Sequence, residues 1–279
     1  MLIDSVMFFN ELDLLEDRLN YLDPYVDYFV INESNYSFGG KEKQLVFDAN
    51  KDRYSKFAHK IIHNPFIESN YNYTDPFRYE FAQRNHIVNA LNEFSDNDHV
   101  IVSCLDEIPN RSKLKEATDL IKDHSIVVRL FQNMYVYNLN TKQENVWNRS
   151  FVCTKKTLVE QTPTWLSIND NNVVLHITDN VRDDREYSKV FFDHLHDGGW
   201  HLCNFMSVDD IIIKMEQYSH VEYNTEYYKN RSRIEDCIKQ GKDLYDRGGG
   251  CNCVFINPDE EFPEDFLMQF NRWRNHETT

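Results

Sequence analysis

The chain has 279 residues, 41% of them hydrophobic, with 19 Phe and 16 Tyr, and a formal net charge of −16. That composition supplies a packed core and excludes a disordered chain, while the acidic excess excludes a broad basic face for nucleic acid, whose phosphates are held by Lys and Arg. No run approaches the ~20 apolar residues of a membrane span, and Met1-Leu2-Ile3-Asp4 has no signal-peptide pattern, so an unanchored cytoplasmic protein with six free cysteines is expected.

Ile3 to Phe9 reads as a buried strand. Asn10 offers an N-cap for a helix in which Leu12, Leu15, Leu19 and Leu22 form one apolar face, ended by Asp23-Pro24. A second apolar run, Val26 to Ile31, stops at Asn32-Glu33, and a polar loop with Gly39-Gly40-Lys41 follows. A helix over 50–58 and a short strand at Ile61-Ile62 come next, then a loop over 64–74. Asp75-Pro76 is an N-cap with proline at the first helical position, predicting a helix to about Phe94. Its inward stripe is Phe77, Phe81, Arg84, Val88 and Leu91. An arginine in such a stripe needs a partner: either Glu80, one turn earlier, or a polar cleft over the first half of the helix. Val100, Ile101 and Val102 form a continuous apolar run that suits a strand covered on both faces. It stops at Asp106-Glu107-Ile108-Pro109. Beyond it, β-rich stretches are expected at 126–139, 150–153 and 173–177, and helices at 208–218, 227–240 and 264–273. Strands alternating with helices through the first 110 residues predict a single α/β domain with a mostly parallel central sheet and flanking helices.

Three of these strands end in polar pairs: Asn10-Glu11, Asn32-Glu33 and Asp106-Glu107. In open α/β sheets ligands bind beyond the carboxyl ends of the strands, so carboxylates there are candidates for a site. Glu11 also suits a first helical turn for the helix dipole alone. A further cluster is His196-Asp197-Gly198-Gly199-Trp200-His201, followed by Lys214 and by His220-Val221-Glu222. Its glycines permit close backbone approach, Trp200 can stack on a ring and His201 can ligate a metal. A structural histidine beside a tryptophan is the competing reading.

In this order the blocks resemble glycosyltransferase family 17. The likeness rests on Phe8-Phe9-Asn10-Glu11-Leu12-Asp13-Leu14-Leu15-Glu16 with Arg18-Leu19, and on Phe29-Val30-Ile31 with Glu33 and Gly40-Lys41. It continues through Gln83-Arg84-Asn85, Asp106-Glu107-Ile108-Pro109, Gly199-Trp200-His201 and Lys214, over roughly residues 3–245. The resemblance implies a GT-A, Rossmann-like fold, a UDP-sugar donor with GlcNAc as the usual sugar, a glycan acceptor, Mn²⁺ or Mg²⁺, and inversion at the anomeric carbon. On this reading 1–110 is the nucleotide-sugar-binding half, 111–245 the acceptor-side half and 246–279 a C-terminal extension.

The acidic block then takes the place of the family's Asp-x-Asp-type element, with Cys104 where the first aspartate usually stands. The resemblance gives Asp106 to the metal, with His201 as second ligand. Glu33 and Lys41 are expected near the nucleoside, Lys214 or Arg84 against the diphosphate, and Gln83 and Trp200 in the donor site. Glu107 is expected to contact the donor sugar or to support the site from behind. Inversion needs a carboxylate to deprotonate the acceptor hydroxyl, and Glu222, ahead of Asp197, is the candidate. Two other readings stand beside this one. A catalytically silent UDP-sugar or glycan-binding protein is suggested by Cys104. A metal-dependent phosphoesterase needs several convergent carboxylates and histidines, and only one tight acidic pair is visible.

Overall fold

A computed structural model describes residues 1–161, 190–248 and 253–274. Four strands, β1 (Leu2–Met7), β2 (Tyr28–Ser34), β3 (Ile61–Phe66) and β4 (His99–Cys104), pair in parallel in the order β3-β2-β1-β4. The sheet is completed by β5 (Glu107–Pro109), β6 (Ile126–Val136), β7 (Thr141–Thr154), β8 (Phe191–Cys203) and β9 (Cys253–Phe255). It continues from β4 through β7, β6, β8 and β5, antiparallel except for the parallel β6–β8 pair, and β9 joins the side of β7. The helices are α1 (Leu12–Leu22), α2 (Val46–Asn50), α3 (Pro76–Asn85), α4 (Leu114–Leu120), α5 (Lys155–Gln161), α6 (Val208–Gln217), α7 (Arg231–Gln240), α8 (Pro258–Glu261) and α9 (Glu264–Phe270). The α/β fold expected from the sequence is the fold present.

Both faces of the parallel half are covered, and the strands show it residue by residue. On β2, Phe29 and Ile31 pack with α1 and α9, while Val30 packs on the opposite face with Ile87 and Leu91. On β4, Ile101 joins the first cluster and Val100 and Val102 the second. Alternate side chains find apolar surroundings on either side, which is why the run is continuous rather than alternating. A third, smaller core joins α6 and α7 to Val136 and Tyr137.

Several boundaries move for local reasons. Glu11, not Asn10, occupies the cap position of α1, and its carboxylate turns back to accept the N–H groups of Phe9 and Asn10. The helix expected over 50–58 starts earlier, as α2 followed by a 3₁₀ turn at Lys51–Phe57, because the Glu33 carboxylate accepts the N–H groups of Val46 and Phe47. Asp75 does cap α3, accepting from Phe77 N at 3.0 Å, but regular α geometry ends at Asn85 and a 3₁₀ turn continues to Leu91. The buried face of α3 is Tyr79, Ala82, Gln83 and Arg84, with Phe77 and Phe81 only half-buried. Tyr79 draws that face inward by packing among Tyr36, Phe38, Phe66, Tyr71 and Tyr73. The strand expected at 173–177 lies outside the described residues. No disulfide joins any two of the five described cysteines.

Candidate functional site

The carboxyl ends of β1 and β4 open side by side into a cleft of about 740 Å³, counting the part open to solvent. Its floor is Met7 to Phe9 and Cys104 to Asp106, one wall is Glu80, Gln83 and Arg84 of α3, and the other is Lys214, Gln217 and Tyr218. Tyr36, Ser37 and Phe38 roof it. The roof is tied to both sides: Gly39 N donates to the Gln217 carbonyl at 3.0 Å, and Tyr71 OH to the Phe38 carbonyl at 2.6 Å.

Asp106 stands on the turn between β4 and β5, and three braces fix that turn. Arg18 of α1 reaches through the core to donate to the carbonyls of Cys104, Leu105 and Glu107 and to Ser103 Oγ. Its charge is met by a two-pronged pair with Asp4 on β1, at 2.8 and 2.6 Å. Glu107, fully buried, accepts from Cys104 N, Trp147 Nε1 and Ser150 Oγ. His201 then packs on Trp147, with ring centroids 4.4 Å apart. The third brace is glycine. β8 crosses β5 so closely that a Cβ on Gly199, at φ 147°, would run into the Ile108 carbonyl oxygen. That crossing puts His201 opposite Glu107 in register and beside Asp106.

Asp106 Oδ2 lies 3.6 Å from His201 Nε2 and 3.9 Å from Lys214 Nζ. Burial alone would raise its pKa; the neighbouring His201 and Lys214 outweigh burial and hold the carboxyl well below the usual range. Lys214 is the mirror case: burial works against its charge, but Asp106 keeps its pKa above the ordinary lysine value. Arg84, almost fully buried, pairs with Glu80 at 2.5 Å and reaches the Cys104 thiol at 3.7 Å. The two readings offered for this arginine therefore both hold, since it has its helical partner and also lines the cleft.

Asp106 and His201 present an oxygen and a nitrogen 3.6 Å apart, a spacing that suits two neighbouring ligands of one cation. His201 Nδ1 is buried and has no hydrogen-bond partner. Among the described residues no group of three or more His, Cys, Asp or Glu is arranged to hold a metal. The donor set fits a Mg²⁺- or Mn²⁺-like ion as a partial seat, completed by ligand oxygens, as is usual for ions bound through one or two carboxylates plus phosphate.

Of the residues singled out in the sequence, Gln83, Arg84, Asp106 and Lys214 line the cleft, and His201 stands behind Asp106. Gln83 is held there by bonds to Ser34 Oγ and the Asn32 carbonyl. The others are placed elsewhere. Glu33 is buried at the start of α2, paired with Lys43 and 3.2 Å from His63. Lys41 is exposed in the roof loop. Glu107 is the internal brace already described. Trp200 points into the core, 4.2 Å from the Phe266 ring. Asp197 is exposed, in a left-handed bend at φ 55°, its carbonyl accepting from Asn110. Glu222 is exposed beyond Tyr218 and Ser219, 2.8 Å from His220. Residues the sequence did not single out for the site include Glu80, whose carboxylate also accepts from Ser219, and the aromatic walls Tyr36, Phe38 and Tyr218. The break in the α3 stripe was the one signal that pointed toward Glu80. Nothing in local pattern marked Tyr218.

A sequence model described as glycosyltransferase family 17 matches residues 1–162 and 172–247. No curated protein matches the chain at a significant level. Solved structures with partial likeness include mannose-6-phosphate isomerase from Helicobacter pylori, 14% identical over 57% of this chain and 73% of that one, with a TM-score of 0.34. Others are 2-C-methyl-D-erythritol 4-phosphate cytidylyltransferase from Francisella tularensis (11% identity, 58% and 76% covered, TM-score 0.37) and HddC from Yersinia pseudotuberculosis (10%, 70% and 89%, TM-score 0.40). Scores this low leave function to be argued from the residues.

Proposed function

The chain belongs to glycosyltransferase family 17, and from that premise we propose that it moves a sugar from a UDP-sugar to a glycan hydroxyl with inversion, in a GT-A-type arrangement. The observation that carries this is Asp106, held ionised at the floor of the cleft between His201 and Lys214, with Arg84 on the wall. A nucleoside diphosphate leaving group develops charge as the glycosidic bond breaks, and preorganised cations aimed at it lower the barrier. Lys214 and Arg84 supply two such cations. Asp106 and His201 would seat Mn²⁺ or Mg²⁺, which would neutralise the diphosphate as a Lewis acid. Phe9, Tyr36 and Phe38 give the nucleoside apolar and aromatic surface. UDP-GlcNAc is the donor the family suggests.

A carboxylate must take the acceptor proton in a single displacement. Glu222, exposed just beyond the cleft's Tyr218 wall, is the base we favour over Asp197, which sits in its bend beside Asn110; neither lines the cleft itself. Cys104 supports one alternative, a protein that binds UDP-sugars or glycans without turnover, since a thiol replaces an acid beside Asp106.

Release of UDP from a panel of UDP-sugars, with and without Mn²⁺, tests the proposal. The expected result is Mn²⁺-dependent release from at least one donor, falling about 100-fold or more in Asp106→Asn. UDP binding without release from any donor would favour the silent reading. Equal UDP affinity with and without Mn²⁺, by calorimetry, would remove the metal from the scheme.

A further inference from the structure

We infer that the surface around Tyr227, Arg233 and Asp246 is a glycan-binding subsite, and that it carries the acceptor outside the cleft. Tyr227 is 59% exposed, although it belongs to a chain of ring contacts leading inward. Its ring lies 5.1 Å from Tyr228, Tyr228 is 5.1 Å from Tyr223, and Tyr223 is 4.4 Å from Tyr245. Tyr245 in turn stacks at 6.3 Å on Tyr218, which is a wall of the cleft. The row of contacts therefore links the exposed ring to a wall of the cleft by way of the buried Tyr245.

The exposed end is built rather than incidental. The Arg233 guanidinium lies over the Tyr227 ring at 4.5 Å and pairs with Asp246 at 2.8 Å, and Tyr227 OH donates to the same carboxylate at 3.0 Å. These three groups hold one another fixed, which removes the entropy cost of ordering them when a ligand arrives. Arg233 and Asp246 also form the edge of a surface groove of about 840 Å³, counting its open part, lined further by Asn230, Ser232, Asp236, Cys237, Gln240 and Lys242.

An aromatic face beside a groove of amides, a hydroxyl and carboxylates matches the two sides of a pyranose, an apolar C–H face and a rim of hydroxyls. On the donor reading of the cleft, the glycan held here is the acceptor, and its far end presents the reacting hydroxyl. The direction of that path rests on the cleft being the donor site. The presence of a carbohydrate subsite does not.

Binding of the full chain to a printed array of structurally diverse glycans, with UDP calorimetry run in parallel, tests this. The wild type should retain one or more glycans, Tyr227→Ala should weaken that retention about tenfold or more, and Tyr227→Phe, which keeps the ring, should hold it within about threefold. UDP affinity should be the same in all three. No retained glycan, or retention indifferent to Tyr227→Ala, overturns the inference. Retention that depends on Tyr227 in a protein that binds no UDP would leave this subsite standing and bring down the donor reading instead.

Discussion

Cys104 and Asp106 stand two residues apart on one turn, beside cations that differ in how far they are already paired. Asp106 faces His201 and Lys214, whereas Cys104 faces Arg84, which already has Glu80 at 2.5 Å. A thiol is a weak acceptor and a poor ligand for hard cations, so Asp106 brings the only carboxylate on this turn that faces the cleft. Cys104→Asp adds charge where Glu80 has left Arg84 largely neutralised, and Mn²⁺ should bind about tenfold tighter in the absence of nucleotide. Cys104→Ser should change little. Calorimetric Mn²⁺ titration of the three proteins checks both expectations; unchanged affinity in Cys104→Asp would mean that Arg84 captures the new carboxylate. Arg18 belongs to the same scale. Arg18→Met leaves Asp4 charged and buried without its partner and should cost about 3–5 kcal/mol in urea unfolding, most of it recovered when Asp4→Leu is added. The recovered double variant should still lose Mn²⁺-dependent UDP affinity, because the carbonyls of Cys104, Leu105 and Glu107 no longer share one donor.

At the scale of an element, α1 is where core, site and C-terminal segment meet. Arg18 points to the β4–β5 turn, while its neighbour Asp17 accepts from the Trp273 indole at 2.7 Å and faces Arg272 at 3.1 Å. Burial pushes the Asp17 carboxyl up to about 7, against the lowering effect of Trp273 and Arg272. Its folded pKa lies above the unfolded value of about 3.9, so the folded chain binds the extra proton between those values. Stability from this group is full below about pH 4 and declines as pH rises toward 7. Asp17→Asn keeps an acceptor for Trp273 and removes the titration. The melting temperature of the variant relative to wild type should therefore climb from pH 4.5 to pH 7.5, and a constant difference would contradict the assignment. The apolar periodicity of α1 was readable in the sequence. Its two polar anchors were not, because their partners, Asp4 apart, lie 85 to 256 residues away in the chain.

Across the whole molecule, legibility follows the sheet. The parallel half is built from local strand–helix–strand units whose strands are apolar on both faces, so β1, β2, β4 and the caps of α3 stand out in the sequence. In the antiparallel half, β8 escaped notice as a strand because its outward positions, His194, His196 and Asp197, and its Gly198-Gly199 crossing dilute any period of two. Carboxylates at strand ends pointed to Asp106, which lines the cleft, yet the same rule pointed to Glu33 and Glu107, which the fold uses at the start of α2 and against Trp147. Pattern gives the end of the strand, whereas the rotamer that turns a carboxylate inward or outward depends on partners supplied by distant segments.

The roof and the α6 wall are joined at Gly39 and Gln217 by a single main-chain bond, with no Cβ on Gly39 to wedge them apart. If a nucleoside diphosphate sugar enters between roof and wall, that bond has to break first. The Gly39 amide can trade its proton for deuterium only in the same moments, so its exchange rate times the opening of the cleft. Saturating UDP should slow that exchange well beyond any change at the buried amides of β2, and an unaltered rate would mean that ligands enter by another route.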